Sequence, residues 1–206
     1  MKHSQSVRIY LNWKLRYHEG QMNSTATALL CDPQPCAHIV YPYTAESQVT
    51  DAVSLFASSG LRKQEAVLLV VTREHAESIR LRLRQEGFDL TDLENSGQLT
   101  FANAEGLLST FMFDGIIDEH CFKTKIGSWI ENAKKHDGGN RGVRVFGEMV
   151  DLIWISNPRA TLRLEELWND VIKSYSVSLL CAYSLGGRKP DSLPATLHTC
   201  HSHALS

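Results

Sequence analysis

Glu148 follows a short apolar run in Val143-Arg-Val-Phe-Gly-Glu-Met-Val150, and its position suits ligand or proton handling. A strand running through Phe146 into Gly147, with a helix carrying Glu148 in its first turn, sets this carboxylate at the carboxyl edge of a sheet. Open α/β sheets bind ligands at that edge, because the strand-to-helix turns point backbone N–H groups and side chains into one crevice. The plainer reading is that Glu148 favours the helix N-terminus by charge–dipole attraction. Both readings stand on the sequence. A second group, Thr72-Arg-Glu-His75, follows another apolar run and offers Glu74 and His75. Glu74 and Glu148 could act as paired carboxylates if the fold brought them together. A third group, Leu197-His-Thr-Cys-His-Ser-His203, holds residue types that bind zinc and other transition metals. Its close spacing does not match the usual paired ligands, and a solvated histidine-rich tail is the simpler reading. Cys200 and His201 remain low-weight metal candidates, and Cys36 and His38 could add ligands if the C-terminal segment packs beside the first strand.

Positioning these groups requires parallel strands that all end at one edge. Apolar runs at residues 37–41, 65–72, 98–102, 141–146 and 177–183 read as five core strands. The run at 65–72 is apolar throughout, as expected of a strand covered on both faces. Helical spacing marks 45–59 with a stop at Gly60, 73–86 closed by Gly87, 105–113, 119–135, the segment after Gly147, and a long helix opened by Pro158. Strands alternating with helices predict an α/β fold: three layers, a mostly parallel sheet with helices on both faces. The strand ends then gather Tyr41, Tyr43, Glu74, His75, Asn103, Glu148 and Tyr183 in one neighbourhood, with Trp154 on the adjoining helix. Residues 1–35, mixed and polar, read as an N-terminal extension with a candidate strand at 7–11 and a linker at Asp32-Pro-Gln-Pro. Residues 36–206 form the domain.

Composition narrows the function classes. With 206 residues, 43% hydrophobic and a formal net charge of −2 from 21 basic and 23 acidic residues, the chain can bury one large core and has no global attraction for nucleic acid. The five cysteines form no CxxC pair and suit reduced thiols. No long uncharged apolar run and no signal-peptide pattern occur, which predicts a cytoplasmic protein with no membrane partner. The phosphate-binding loop, the dinucleotide glycine pattern and the nucleophile elbow are all lacking. No cofactor is therefore expected, and ligand contact is favoured over catalysis.

Several separated stretches resemble the MEDS family, a sensory domain named after methanogens, methylotrophs and the dichloromethane-responsive regulator. They are His38-Ile-Val-Tyr41, Gly60-Leu61 with Glu65 and Thr72-Arg-Glu-His75, Ala104-Glu105 through Gly115, Val145-Phe-Gly-Glu-Met-Val150 with Trp154, Leu164-Glu-Glu-Leu-Trp-Asn169, Leu180-Cys-Ala-Tyr183, and the closing Cys200-His-Ser202. Asn103 and Gln64 depart from the family pattern, which usually has Asp and Gly there. The resemblance implies a RecA/KaiC-like core without its phosphate-binding loop. It also implies a sensing role, with small hydrocarbon derivatives as signals and a kinase or transcription regulator as output. The expected function is a non-catalytic sensory domain that binds a small ligand through His38, Tyr41, Glu74, His75, Asn103, Glu148, Trp154 and Tyr183, and signals through a protein partner or self-association. A residual nucleotide-binding or hydrolysing protein and a pure protein-interaction module are the alternatives.

Overall fold

The computed structural model describes residues 24–135, 141–186 and 194–205. The candidate strand at 7–11 lies outside them. The elements run α1 (Ser24–Cys31), β1 (His38–Tyr43), α2 (Glu46–Arg62), β2 (Ala66–Val71), α3 (Arg73–Gln85), α4 (Leu90–Asn95), β3 (Leu99–Asn103), α5 (Ala104–Leu108), β4 (Met112–Phe113) and β5 (Ile116–Ile117). They continue with α6 (Glu119–Lys135), β6 (Val143–Gly147), α7 (Met149–Ile153), α8 (Pro158–Tyr175), β7 (Ser178–Ser184), α9 (Ala195–Cys200) and β8 (His203–Ala204).

Six strands form one sheet in the order β3-β2-β6-β7-β1-β8, and each neighbouring pair is parallel. Side chains alternate across it because a strand has period two. Val40, Leu68, Val70, Val145, Leu179, Cys181 and Tyr183 face a core shared with α5 to α9. Ile39, Tyr41, Tyr43, Val67, Leu69, Phe146 and Leu180 face a second core under α1 to α4. The expected three-layer α/β architecture is thus present. Among the described residues, no helix is long and apolar enough to cross a membrane.

Three differences from the sequence reading have physical causes. The helix expected at 105–113 stops at Leu108, and Met112–Phe113 pairs antiparallel with Ile116–Ile117 instead. Asp114 and Gly115 both take positive φ (49° and 77°), the conformation a two-residue Asp-Gly hairpin turn requires. The C-terminal segment is not a free tail: β8 pairs with β1 through Ile39↔His203 and Val40↔Ala204. Finally, α2 runs through Gly60 rather than stopping there.

Gly60 is explained by Arg144. This arginine on β6 is 1% exposed, forms an ion pair with Glu65, and donates to the carbonyls of Leu30, Cys31 and Phe56. Those bonds tie α1 and α2 to the central strand. A Cβ at Gly60 would lie 2.8 Å from Arg144 Cδ and Nε, so only glycine admits the guanidinium. Gly→Ala within a helix ordinarily stabilises by roughly 0.5–1 kcal/mol. Here Gly60→Ala should instead lose about 1–3 kcal/mol through overpacking against a fixed neighbour. Chemical denaturation reads the sign directly, and a gain in stability would refute this role for Gly60.

Candidate functional site

Glu148 sits where β6 gives way to α7, and its side chain makes no cap bond to its own helix. Its backbone N–H donates to Val70 O (3.0 Å), locking the turn against β2. The carboxylate reaches sideways instead. Oε2 accepts from Thr72 N–H at 2.6 Å, and Oε1 accepts from His75 Nδ1. Thr72 is the residue from which α3 springs, so Glu148 meets the unsatisfied N-terminal donors of a neighbouring helix. The far side of the His75 ring, Nε2, donates to Glu46 at the start of α2. A bridge Glu46–His75–Glu148 therefore spans three strand-to-helix turns.

The hydrogen bond to Glu148 is the largest influence on His75, and it outweighs the opposing effect of burial. Glu46 adds to it, and the imidazole pKa rises from 6.5 to about 9. His75 is thus a cation at neutral pH, donating from both nitrogens to the carboxylates on either side. One helical turn beyond Glu148, Asp151 collects three donors: Tyr43 O–H (3.2 Å), Trp154 indole N–H (3.1 Å) and Ser184 N–H (2.7 Å). Burial raises the Asp151 carboxyl, against the lowering effect of the Ser184 N–H. Burial, followed by Asp151, likewise raises the Tyr43 phenol. Tyr43 also meets the His75 ring edge-on at 6.4 Å, joining the two carboxylate clusters.

Beside this bridge lies an open groove of about 490 Å³ at the ends of β2 and β3, lined by Val71, Thr72, Arg73, Ala76, Phe101, Ala102 and Asn103. Asn103 spends its side chain locally, accepting from Gly106 N–H at 2.7 Å to cap α5 and donating to Glu105.

The sequence-predicted residues divide between places. His75, Glu148, Asn103 and Trp154 lie along the carboxyl edge. Glu74 is exposed on the first turn of α3; the second carboxylate on His75 is Glu46, which the sequence reading did not single out. Tyr41 and Tyr183 face opposite sides of the sheet, so they do not wall one pocket. Trp154 meets Tyr183 edge-on at 6.1 Å.

His38 and Tyr183 instead join a buried cluster beneath α8. Its centre is Glu165, fully buried, which the sequence reading also missed. A signal existed: Glu165 falls on the buried stripe of α8 with Thr161, Leu164 and Trp168, where a carboxylate needs a partner. His38 Nε2 lies 3.1 Å from Glu165 Oε2, and His201 Nε2 lies 3.3 Å from Oε1. The Tyr183 hydroxyl donates to Oε1, and Cys181 Sγ stands 3.7 Å from Oε2. Burial opposes ionisation of Glu165, yet His201 and His38 hold its carboxyl below the usual range. Cys200 turns its thiol to Thr196 O, and Cys36 turns its thiol to Ile172 O, both away from the cluster.

The family described as MEDS, the methanogen/methylotroph, DcmR sensory domain, matches residues 37–202. No curated protein matches the chain.

The raised His75 pKa fixes the sign of a pH effect. A group bound more tightly as a cation contributes its stability in full below the unfolded pKa, near 6.5, and loses it as pH rises through the folded value of about 9. Stability should therefore fall by on the order of 2–3 kcal/mol between about pH 6.5 and 9. Urea unfolding across that range should show this slope in the native chain and a flattened one in His75→Gln. An equal slope in both would assign the effect elsewhere.

Proposed function

This chain belongs to the MEDS family of sensory domains, and we propose from that premise that it binds a small organic ligand at the carboxyl edge of its sheet and signals through a protein partner. The observation that carries the proposal is the groove beside Thr72 and Asn103, whose Thr72 is tied through its backbone N–H to Glu148 of the bridge with His75 and Glu46. Phe101, Ala102, Ala76 and Val71 give the groove apolar surface, while Thr72 and Arg73 give it polar groups that orient a ligand. This mixture suits small hydrocarbon derivatives carrying one polar or halogen substituent.

Signalling requires a ligand to bind two conformations unequally. Of the turns that border the groove, the one between β2 and α3 is held by Glu148, and Glu148 leads directly into α7. That five-residue helix also carries Asp151 and ends beside Trp154. A shift of the turn would therefore move a whole set of tethers at once. Near the other end of α7 the β4–β5 hairpin presents Phe113 and Ile116, and the adjoining loop presents Ile155, all more than half exposed. Such exposed apolar groups suit contact with an output protein. The chemistry is binding: the bridge pairs its histidine with two carboxylates and supplies no activated nucleophile.

Native mass spectrometry of the purified chain, followed by calorimetry across small hydrocarbon derivatives, tests the reading. Ala102→Trp fills the groove from its wall and should weaken any ligand found at least about tenfold, the cost of displacing its apolar contacts, while thermal unfolding shows the fold retained. Unchanged affinity would move the ligand out of this groove. A panel with no binder would remove the reading.

A further inference from the structure

We propose that His38, Glu165, Cys181 and His201 form a closed, four-ligand site for a divalent transition-metal ion, with zinc as the ion their chemistry fits best. This site is separate from the carboxyl-edge groove and does not depend on it.

The ligand atoms all lie within 4.8 Å of one another. His38 Nε2 is 3.1 Å from Glu165 Oε2 and 3.4 Å from Cys181 Sγ, and Cys181 Sγ is 3.7 Å from the same oxygen. Zinc bonds of about 2.0–2.3 Å at tetrahedral angles separate neighbouring ligands by roughly 3.3–3.7 Å. The observed spacings bracket that range, so closing the shell asks for small side-chain shifts.

The orientation of both imidazoles points the same way. His38 Nδ1 lies 3.1 Å from Cys200 O, and His201 Nδ1 lies 2.7 Å from Leu197 O. Carbonyl oxygens only accept, so each Nδ1 carries a hydrogen, and each Nε2 is the nitrogen turned inward, where it binds an ion once it carries no proton. Metal-bound histidines are held in this manner by backbone carbonyls. Asn169 reinforces it, donating to Cys200 O at 3.0 Å and placing its Oδ1 3.1 Å from His38 Nδ1. His201 Nε2 is buried and has no hydrogen-bond partner; its 3.3 Å approach to Glu165 is off the line a hydrogen bond needs. A buried ring nitrogen with no partner is costly in a dry interior, and a cation at the centre of the four atoms satisfies it. Tyr183 donates to Glu165 Oε1, leaving Oε2 for the ion.

The charges also balance. A divalent ion with Glu165 as carboxylate, Cys181 as thiolate and two neutral imidazoles has no net charge, which suits complete burial. Binding displaces the Cys181 thiol proton to solvent. The mixed nitrogen, sulfur and oxygen set favours zinc over harder ions such as calcium or magnesium. With four protein ligands the ion has no open position, so its role is to hold: it fastens the segment carrying His201 to β1, β7 and α8.

Cobalt(II) titration of the chelator-stripped full chain is the test. One equivalent should bind with a thiolate-to-cobalt charge-transfer band, and zinc should displace it and raise the unfolding temperature. Cys181→Ser should abolish the charge-transfer band, while Cys200→Ser should leave it unchanged. His201→Gln alters only the C-terminal segment, keeps the test available if Cys181→Ser fails to fold, and should weaken zinc binding at least about tenfold. Absence of cobalt or zinc binding overturns the proposal, as does binding that survives both Cys181→Ser and His201→Gln, which would place the ion on surface histidines.

Discussion

A charge removed from water must be met where it lies, and this requirement organises the molecule at three levels of its sheet. Arg144 near the amino end, Glu148 at the carboxyl edge and Glu165 beneath α8 are each almost wholly buried. None is compensated by its own element. Arg144 draws on carbonyls from α1 and α2, Glu148 on α3, and Glu165 on β1, β7 and the C-terminal segment. Apolar packing supplies most of the stabilisation but is non-directional. The buried ions add direction, fixing which helix ends meet which strands.

The two carboxylate centres are also contiguous. Glu148 and Asp151 lie one turn apart on α7, Asp151 holds Trp154, and Trp154 meets Tyr183, which holds Glu165. Packed side chains linked in this way are the medium through which distant sites exchange free energy. In the sensing role proposed above, this chain of contacts would join the ligand groove to the surface that a partner reads.

Much of the fold was legible in the sequence because parallel strands covered on both faces leave unbroken apolar runs, as in β2, and because glycine and proline punctuate helices plainly. Legibility failed where distant residues decided the outcome. Gly60 looked like a helix stop, but its meaning lies in Arg144, a residue on another strand. The 105–113 stretch has helical spacing, but the Asp114-Gly115 hairpin turn that follows it overrides that spacing beyond Leu108. At the site, Glu148 and His75 were visible as residues following strands. Glu46 was not, since an exposed carboxylate opening a helix is ordinary. His38 and His201 were visible as residue types, but their meeting depends on β8 lying beside β1, a pairing that two residues of strand barely announce.

That pairing has a kinetic side. β1 finds its partners in β7 and β8, and the His38 backbone bonds to Ser202 across 164 positions of chain. Loop closure over such a distance is entropically slow, whereas β2, β3 and β6 lie closer together in sequence. β7 lies nearer to β6 in sequence than β6 does to β2, so the sheet from β3 through β7 can assemble while β7 still presents an unpaired edge. Until β1 docks, that edge is open to strands of other chains. The last steps of folding are thus the ones in which the protein is most exposed to aggregation.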